Sequence, residues 1–139
     1  MTNLRGSNPP FFMPDFSFKK GERLAGKKEI SALFLSGRGV TFPPFRFLYL
    51  PASGGPYPAR TAIAVPKRLY RRAVDRNLLK RRIREAYRLM KPAIYRQLNE
   101  KGMKIHLVIQ YRHESLLPFE PLKEALQKGI EQLMHEISG

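Results

Sequence analysis

The sequence predicts an α+β fold, a two-layer α/β sandwich in which a four-stranded sheet carries helices on one face and leaves part of its other face open. Three observations lead there. Apolar residues spaced three and four apart recur in separate stretches, the signature of amphipathic helices. Short runs rich in branched and aromatic residues lie between those stretches and read as strands. The 139 residues, 42% of them hydrophobic, suffice for one core and are too few for two comfortable ones. A single domain over residues 16–139 follows. Ahead of it, residues 1–15 are polar, carry Pro9, Pro10 and Pro14, show no period and predict a disordered tail.

The elements are justified in turn. Phe16 and Phe18 alternate with Ser17, as in an extended segment laid on the core or a stacking platform for a base. Lys27 to Ser36 forms a short helix with Ile30, Leu33 and Phe34 on one side, and Gly37 is placed to end it in a left-handed conformation. A short edge strand near Val40 and Thr41 precedes the aromatic run Phe42–Leu50, where Pro43-Pro44 confines regular pairing to the part from Phe45. Pro51 to Pro58 is turn-rich, and Arg60–Val65 is a compact strand stopped by Pro66. In the next helix Leu79, Ile83, Ala86 and Met90 share one stripe. Pro92 disfavours helical backbone at Lys91, so that helix ends there and a second one restarts over Pro92–Glu100, before Gly102. Lys104–Tyr111 is a near-continuous apolar strand that suits a central position. From Pro121, Leu122, Leu126, Ile130, Leu133 and Ile137 mark a terminal helix, in which Gly129 costs about 1 kcal/mol relative to Ala.

Charge is unevenly distributed. The chain carries +15, and Val65–Lys91 holds eleven Lys or Arg against two acids, a net of +9 in under a fifth of the length. This is the footprint of a protein that neutralises phosphates. Asn77, Lys80, Arg81, Arg84 and Arg88 project opposite the apolar stripe, and Arg76 and Arg82 sit at its edges. With so few acids nearby, no ladder of ion pairs offsets the repulsion along the helix. A merely solvated cationic face is the alternative reading.

The catalytic repertoire is narrow. The absence of cysteine excludes disulfides, iron–sulfur clusters and thiolate zinc sites, and suits a reducing cytoplasm. Asp75 and Glu85 lie about 15 Å apart along a helix, too far to share the paired metal ions of many nucleases. His106, His113 and His135 have no metal-ligand spacing, and Gly37-Arg38-Gly39 lacks the phosphate-loop pattern. No apolar run approaches the roughly 18 residues of a membrane span, and Phe11-Phe12-Met13 is too short for a signal-peptide core. These features describe a binder. Any chemistry comes from a partner.

Arg76-Asn77, Lys80-Arg81 and Arg84-Glu85-Ala86-Tyr87, after the strand-like R-T-A-I-A-V and the basic pair Lys67-Arg68, resemble the protein subunit of bacterial ribonuclease P, whose signature is approximately R-N-R-x-K-R-x-x-R. Leu78 stands where the family usually has its third Arg, and Arg71-Arg72 replace a common Gly-Asn. The order of elements fits the family from Phe16 onward. The resemblance implies a left-handed crossover through the basic helix, which is rare. It further implies an endoribonuclease holoenzyme in which an RNA, with Mg²⁺, hydrolyses one phosphodiester to release the 5′ leader of precursor tRNA.

In that picture the chain binds no cofactor alone and contributes no catalytic residue. Lys67, Arg68, Arg72, Arg76, Asn77, Lys80, Arg81, Arg84 and Arg88 would contact the catalytic RNA. A leader groove between the open sheet face and the first helix would involve Phe18, Ile30, Phe34, Phe45, Phe47 and Tyr49. Phe34 matches an aromatic of that helix, Tyr49 matches a sheet aromatic across an apparent one-residue insertion, and Ile30 stands where many members have another aromatic. The implied partners are ribonuclease P RNA and precursor tRNA, with no DNA and no membrane, for a monomeric cytoplasmic protein. The residues alone also admit a structural RNA-binding protein of ribosomal type, a DNA-binding helix or a membrane-surface segment. The DNA reading lacks helix-turn-helix spacing, and the membrane reading lacks Trp or Phe anchors on a narrow stripe.

Overall fold

The structure, a computed structural model, describes residues 16–138; the tail expected over residues 1–15 lies outside them. A short 3-10 turn at Lys20–Glu22 leads into α1 (Lys27–Ser36), β1 (Arg38–Phe42), β2 (Phe45–Pro51), β3 (Ala59–Ala64), α2 (Ala73–Glu100), β4 (Ile105–Tyr111) and α3 (Phe119–Ser138). The four strands form one sheet in the order β1-β2-β4-β3. β1–β2 and β2–β4 are antiparallel. β3 and β4 are parallel neighbours, so α2 is the crossover between them, and β4 is central as its apolar run predicts. Pro43 and Pro44, joined by a cis peptide bond, make the two-residue turn between β1 and β2.

Side-chain alternation divides the sheet into two apolar faces. Phe45, Phe47 and Tyr49 of β2, with Ile105, Leu107, Ile109 and Tyr111 of β4, point into the larger core beneath α2 and α3. Leu48 and Val108 point the other way, where Leu24 and Leu33 cover them. α2 and α3 therefore share one face, and α1 lies across part of the opposite one.

Two local expectations are corrected. α2 runs unbroken through Pro92 to Glu100. An interior proline costs roughly 3 kcal/mol because it removes a hydrogen bond and crowds the preceding turn. Beyond it, Ile94 and Leu98 are buried. At about 1.5–3 kcal/mol for each such side chain, their burial offsets the cost of continuing. Gly37 ends α1 with φ −68° and ψ 148°, extended rather than left-handed. Its glycine is required for a different reason, since a Cβ there would lie 2.4 Å from the Leu33 carbonyl oxygen.

A buried ion pair joins the N-terminal segment to α2. Lys91 Nζ donates to Glu22 Oε1 at 2.6 Å with the side chains 2% and 1% exposed, and it donates also to the Ser17 carbonyl. Glu22 accepts further bonds from the Lys19 N–H at 2.7 Å and from Tyr95 Oη at 2.7 Å. Burial alone would raise the Glu22 pKa; the bonds from Lys91, Lys19 and Tyr95 outweigh it and hold the carboxyl below its ordinary 4.5. A folded-state pKa below the unfolded one gives stability that is complete above that ordinary value and is lost as pH falls through the depressed one. Glu22→Gln, which leaves Lys91 buried and unpaired, is expected to lower stability at neutral pH by about 3–5 kcal/mol and to flatten the acid limb. Urea unfolding at neutral and acidic pH measures both; equal midpoints for the two proteins at neutral pH would refute the role assigned to the pair.

Gly129 offers a second test. Helix propensity alone makes Gly129→Ala a gain of about 1 kcal/mol. The added Cβ would lie 2.7 Å from Cε2 of Phe47, which is fully buried. Overpacking of this kind costs roughly 1–3 kcal/mol, so the melting temperature should fall. A rise would mean that Phe47 can retreat.

Candidate nucleic-acid interface

The cationic face of α2 is held outward by its own buried side, where Leu79, Ile83, Ala86, Tyr87, Lys91, Ile94 and Leu98 pack inward. Asn77, Arg81 and Arg84 are exposed and Lys80 is half-buried. The side chains of Lys80, Arg81 and Arg84 have no hydrogen bond or ion pair among the described residues. Their positive field is therefore uncompensated by neighbouring carboxylates.

Other members of the predicted set are already engaged. Arg76 Nη1 donates to the carbonyls of Tyr70 at 2.7 Å and Arg71 at 2.9 Å, closing the loop that leads into α2. Arg88 makes a two-point pair with Glu85 at 2.6 and 3.1 Å, and its Nη1 donates to the Phe16 carbonyl at 3.1 Å. The hydrogen bond from Arg88 holds the Glu85 carboxyl below its usual range, and the same bond raises the Arg88 pKa. Arg72, at the N-cap of α2, lies 4.0 Å from Asp75. Arg82 donates to the Leu117 carbonyl at 2.6 Å, and Lys91, counted in the charge of this stretch, is the buried partner of Glu22.

Lys67 and Arg68 are exposed on the turn after β3. That turn is closed by bonds from the Leu69 and Tyr70 N–H groups to the Pro66 carbonyl. The Tyr70 ring, buried 6.2 Å from that of Tyr111, ties the turn to the core, and its hydroxyl donates to the His113 carbonyl. The basic pair thus sits on a fixed support beside the start of α2.

The six residues expected to line a groove separate into two groups. Phe45, Phe47 and Tyr49 lie in the core under α2 and α3, and Phe18 packs edge-on against Tyr87 at 5.5 Å. These four offer no stacking surface on the open face. Ile30 is half-buried against Leu48, Val108 and their neighbours, and Phe34 is 48% exposed on α1. The sheet residue facing α1 is Leu48, one place before Tyr49. A one-residue slip turns a strand side chain to the opposite face, and this explains the correction. The open part of that face instead presents Thr41, Arg46, Ala64 and Gln110, paired in register across the four strands. The Gln110 side-chain oxygen is buried without a hydrogen-bond partner among the described residues. Strand parity could have identified these four from the sequence.

No three His, Asp or Glu side chains lie close enough to hold a metal ion among the described residues. Likewise, no described helix is long and apolar enough to cross a membrane. His106 is half-buried on the α1 side of the sheet, and burial together with the Arg60 charge lowers its pKa.

The profile of the family described as Ribonuclease P matches residues 18–137. The chain belongs to the ribonuclease P protein family. It is 32% identical over 118 residues to the ribonuclease P protein component of Porphyromonas gingivalis, an alignment spanning 84% of this chain and 86% of that protein. The solved RNase P protein of Staphylococcus aureus shares the fold with a TM-score of 0.65, at 19% identity over 82% of this chain and 96% of that one. That of Thermotoga maritima gives a TM-score of 0.57, at 24% identity over 77% and 93%.

Within this ribonuclease P protein, Arg76 and Arg84 should differ when truncated. Arg76→Ala removes both carbonyl contacts and is expected to lower stability by roughly 1–2 kcal/mol, whereas Arg84→Ala should stay within about 0.5 kcal/mol of the parent. Parallel urea titrations decide; equal losses would mean that Arg84 has a structural role or that the loop stands without Arg76.

Proposed function

We propose that the chain is the RNA-binding protein subunit of a ribonuclease P holoenzyme that removes the 5′ leader of precursor tRNA, with catalysis in the RNA component. The observation that carries this reading is the group of unpaired cations Lys80, Arg81 and Arg84 on a rigid helix in a chain of this family. Lys67 and Arg68 extend the same positive surface. Such a face suits phosphates of structured RNA, and each phosphate neutralised releases counterions, which makes the association salt-dependent.

The groove beside α1 suits the unpaired leader. Phe34 supplies its exposed aromatic surface, the half-buried Ile30 an apolar wall, and Arg46 a charge for the backbone. Stacking on an aromatic tolerates any base, as leaders of varied sequence require. In this reading Mg²⁺ acts through the RNA component, and the chain itself contributes charge and binding surface. The protein works as a cytoplasmic monomer that brings positive charge beside two polyanions and thereby lowers the Mg²⁺ they need to associate.

The decisive experiment is cleavage of a 5′-extended precursor tRNA at low Mg²⁺ by a bacterial ribonuclease P RNA, with and without the protein. Cleavage at the mature 5′ end should require both components, and protein alone should be inert. With Arg84→Ala, the log–log salt slope of RNA binding should flatten by roughly 0.7–0.9 for one lost phosphate contact. Failure to stimulate any matched RNA, together with binding to ribosomal subunits, would replace this reading with a structural RNA-binding role.

A further inference from the structure

A cavity of about 730 Å³ opens on the C-terminal half of α2, where it faces the loop between β2 and β3. The volume falls within the range of ligand sites, roughly 300–1,000 Å³. Arg96, on its wall, is twelve residues beyond Arg84, about 18 Å along the helix axis, so the cavity is separate from the cationic face. Its floor includes Glu22 and Lys91, which are fixed to each other and to Tyr95 and leave no free charge there.

The walls are built for a flat apolar ligand. Tyr57 stands between Pro56 and Pro58, and Pro92 contributes to the facing helix. The Tyr57 ring lies so close to Gly21 that a Cβ on Gly21 would come within 2.8 Å of its Cε2. The absence of a side chain at Gly21 thus sets the ring's position. Pro92 puts a ring into the wall at a helix position where proline is costly.

The polar groups of the wall lie on the last turns of α2. Arg96, Asn99 and Glu100 are exposed there, and none of their side chains has a hydrogen bond or ion pair among the described residues. A cation, an amide and a carboxylate beside an aromatic ring match a nucleotide: the ring stacks the base, the guanidinium takes the phosphate, and amide and carboxylate meet the base edge. An acidic peptide would be repelled by Glu100, and a simple anion has no use for the Tyr57 slot.

We propose that this cavity receives the base of one unpaired RNA nucleotide, stacked on Tyr57 with its phosphate on Arg96. The proposal rests on the RNA-binding reading above and adds a second contact, at the far end of α2, that the cationic face does not provide.

NMR titration of the ¹⁵N-labelled full chain with AMP tests it. The amides of Tyr57, Arg96 and Asn99 should shift and saturate with AMP but not with inorganic phosphate. Tyr57→Ala should abolish those shifts, Tyr57→Phe should keep them, and Arg96→Ala should weaken AMP binding several-fold even if Tyr57→Ala fails to fold. Tyr57→Ala should also weaken RNA binding about tenfold, as expected for one lost stacking contact. Loss of affinity for ribonuclease P RNA assigns the nucleotide to that RNA, and loss only in precursor binding by the holoenzyme assigns it to the leader.

The inference is overturned if AMP leaves the three amides unmoved or inorganic phosphate reproduces its shifts. It is also overturned if a glutamate-rich peptide fills the cavity where AMP does not, or if Tyr57→Ala binds both RNAs normally. A parent protein that binds no ribonuclease P RNA would sink the subunit reading, whatever AMP does.

Discussion

The exposed cations of α2 are positioned by the buried side of the same helix. Neighbouring positive charges weaken an isolated helix by a few tenths of a kcal/mol per pair, whereas each buried Leu or Ile contributes roughly 1.5–3 kcal/mol. Leu79, Ile83, Ile94 and Leu98 are buried along one seam against the sheet and α3, so packing prevails over repulsion. The same seam carries the helix through Pro92. Charge on one side and apolar burial on the other belong to one element, and its rigidity fixes the spacing of the unpaired groups.

The ion pair of Lys91 with Glu22 extends this control to the N-terminal segment. It draws the 3-10 turn against α2, and Leu24 then meets β3 through a bond from its N–H to the Thr61 carbonyl. From there α1 starts across the opposite face of the sheet, with Leu33 over Leu48 and Val108. The start of α1 and the cationic helix α2 are consequently tied together through one buried carboxylate. A well-packed apolar pair in its place could be equally stable, but would not supply the acceptor that also engages the Lys19 N–H and Tyr95 Oη.

Much of this arrangement was legible in the sequence because it rests on local periods. The stripe from Leu79 to Met90, the strand from Ile105 to Tyr111 and the terminal helix from Leu122 each repeat within a single element. What escaped depends on partners distant in the chain. Nothing local marks Lys91 as the partner of Glu22, 69 residues earlier, or Arg82 as the donor to Leu117. The alternation in β2 was visible, yet both of its faces are apolar, and sequence alone did not decide which went inward. The larger rings of Phe45, Phe47 and Tyr49 took the deeper core, leaving Leu48 under α1 and Arg46 on the open face.

The division between engaged and unpaired cations narrows the surface that charge counting would assign. Of the eleven between Lys67 and Lys91, Arg72, Arg76, Arg82, Arg88 and Lys91 contact carboxylates or carbonyls. Among the described residues, the side chains of Lys67, Arg68, Arg71, Lys80, Arg81 and Arg84 do not. Four of the five engaged groups are arginines, whose planar fork can reach two acceptors and whose stem can lie on apolar surface. Arg76 and Arg82 are suited to anchor loops to α2 for that reason, and lysine in either place would hold its carbonyl less specifically. Charge density along the sequence therefore marks the cationic helix, but the hydrogen bonds within the fold decide which of its cations are left without a partner among the described residues.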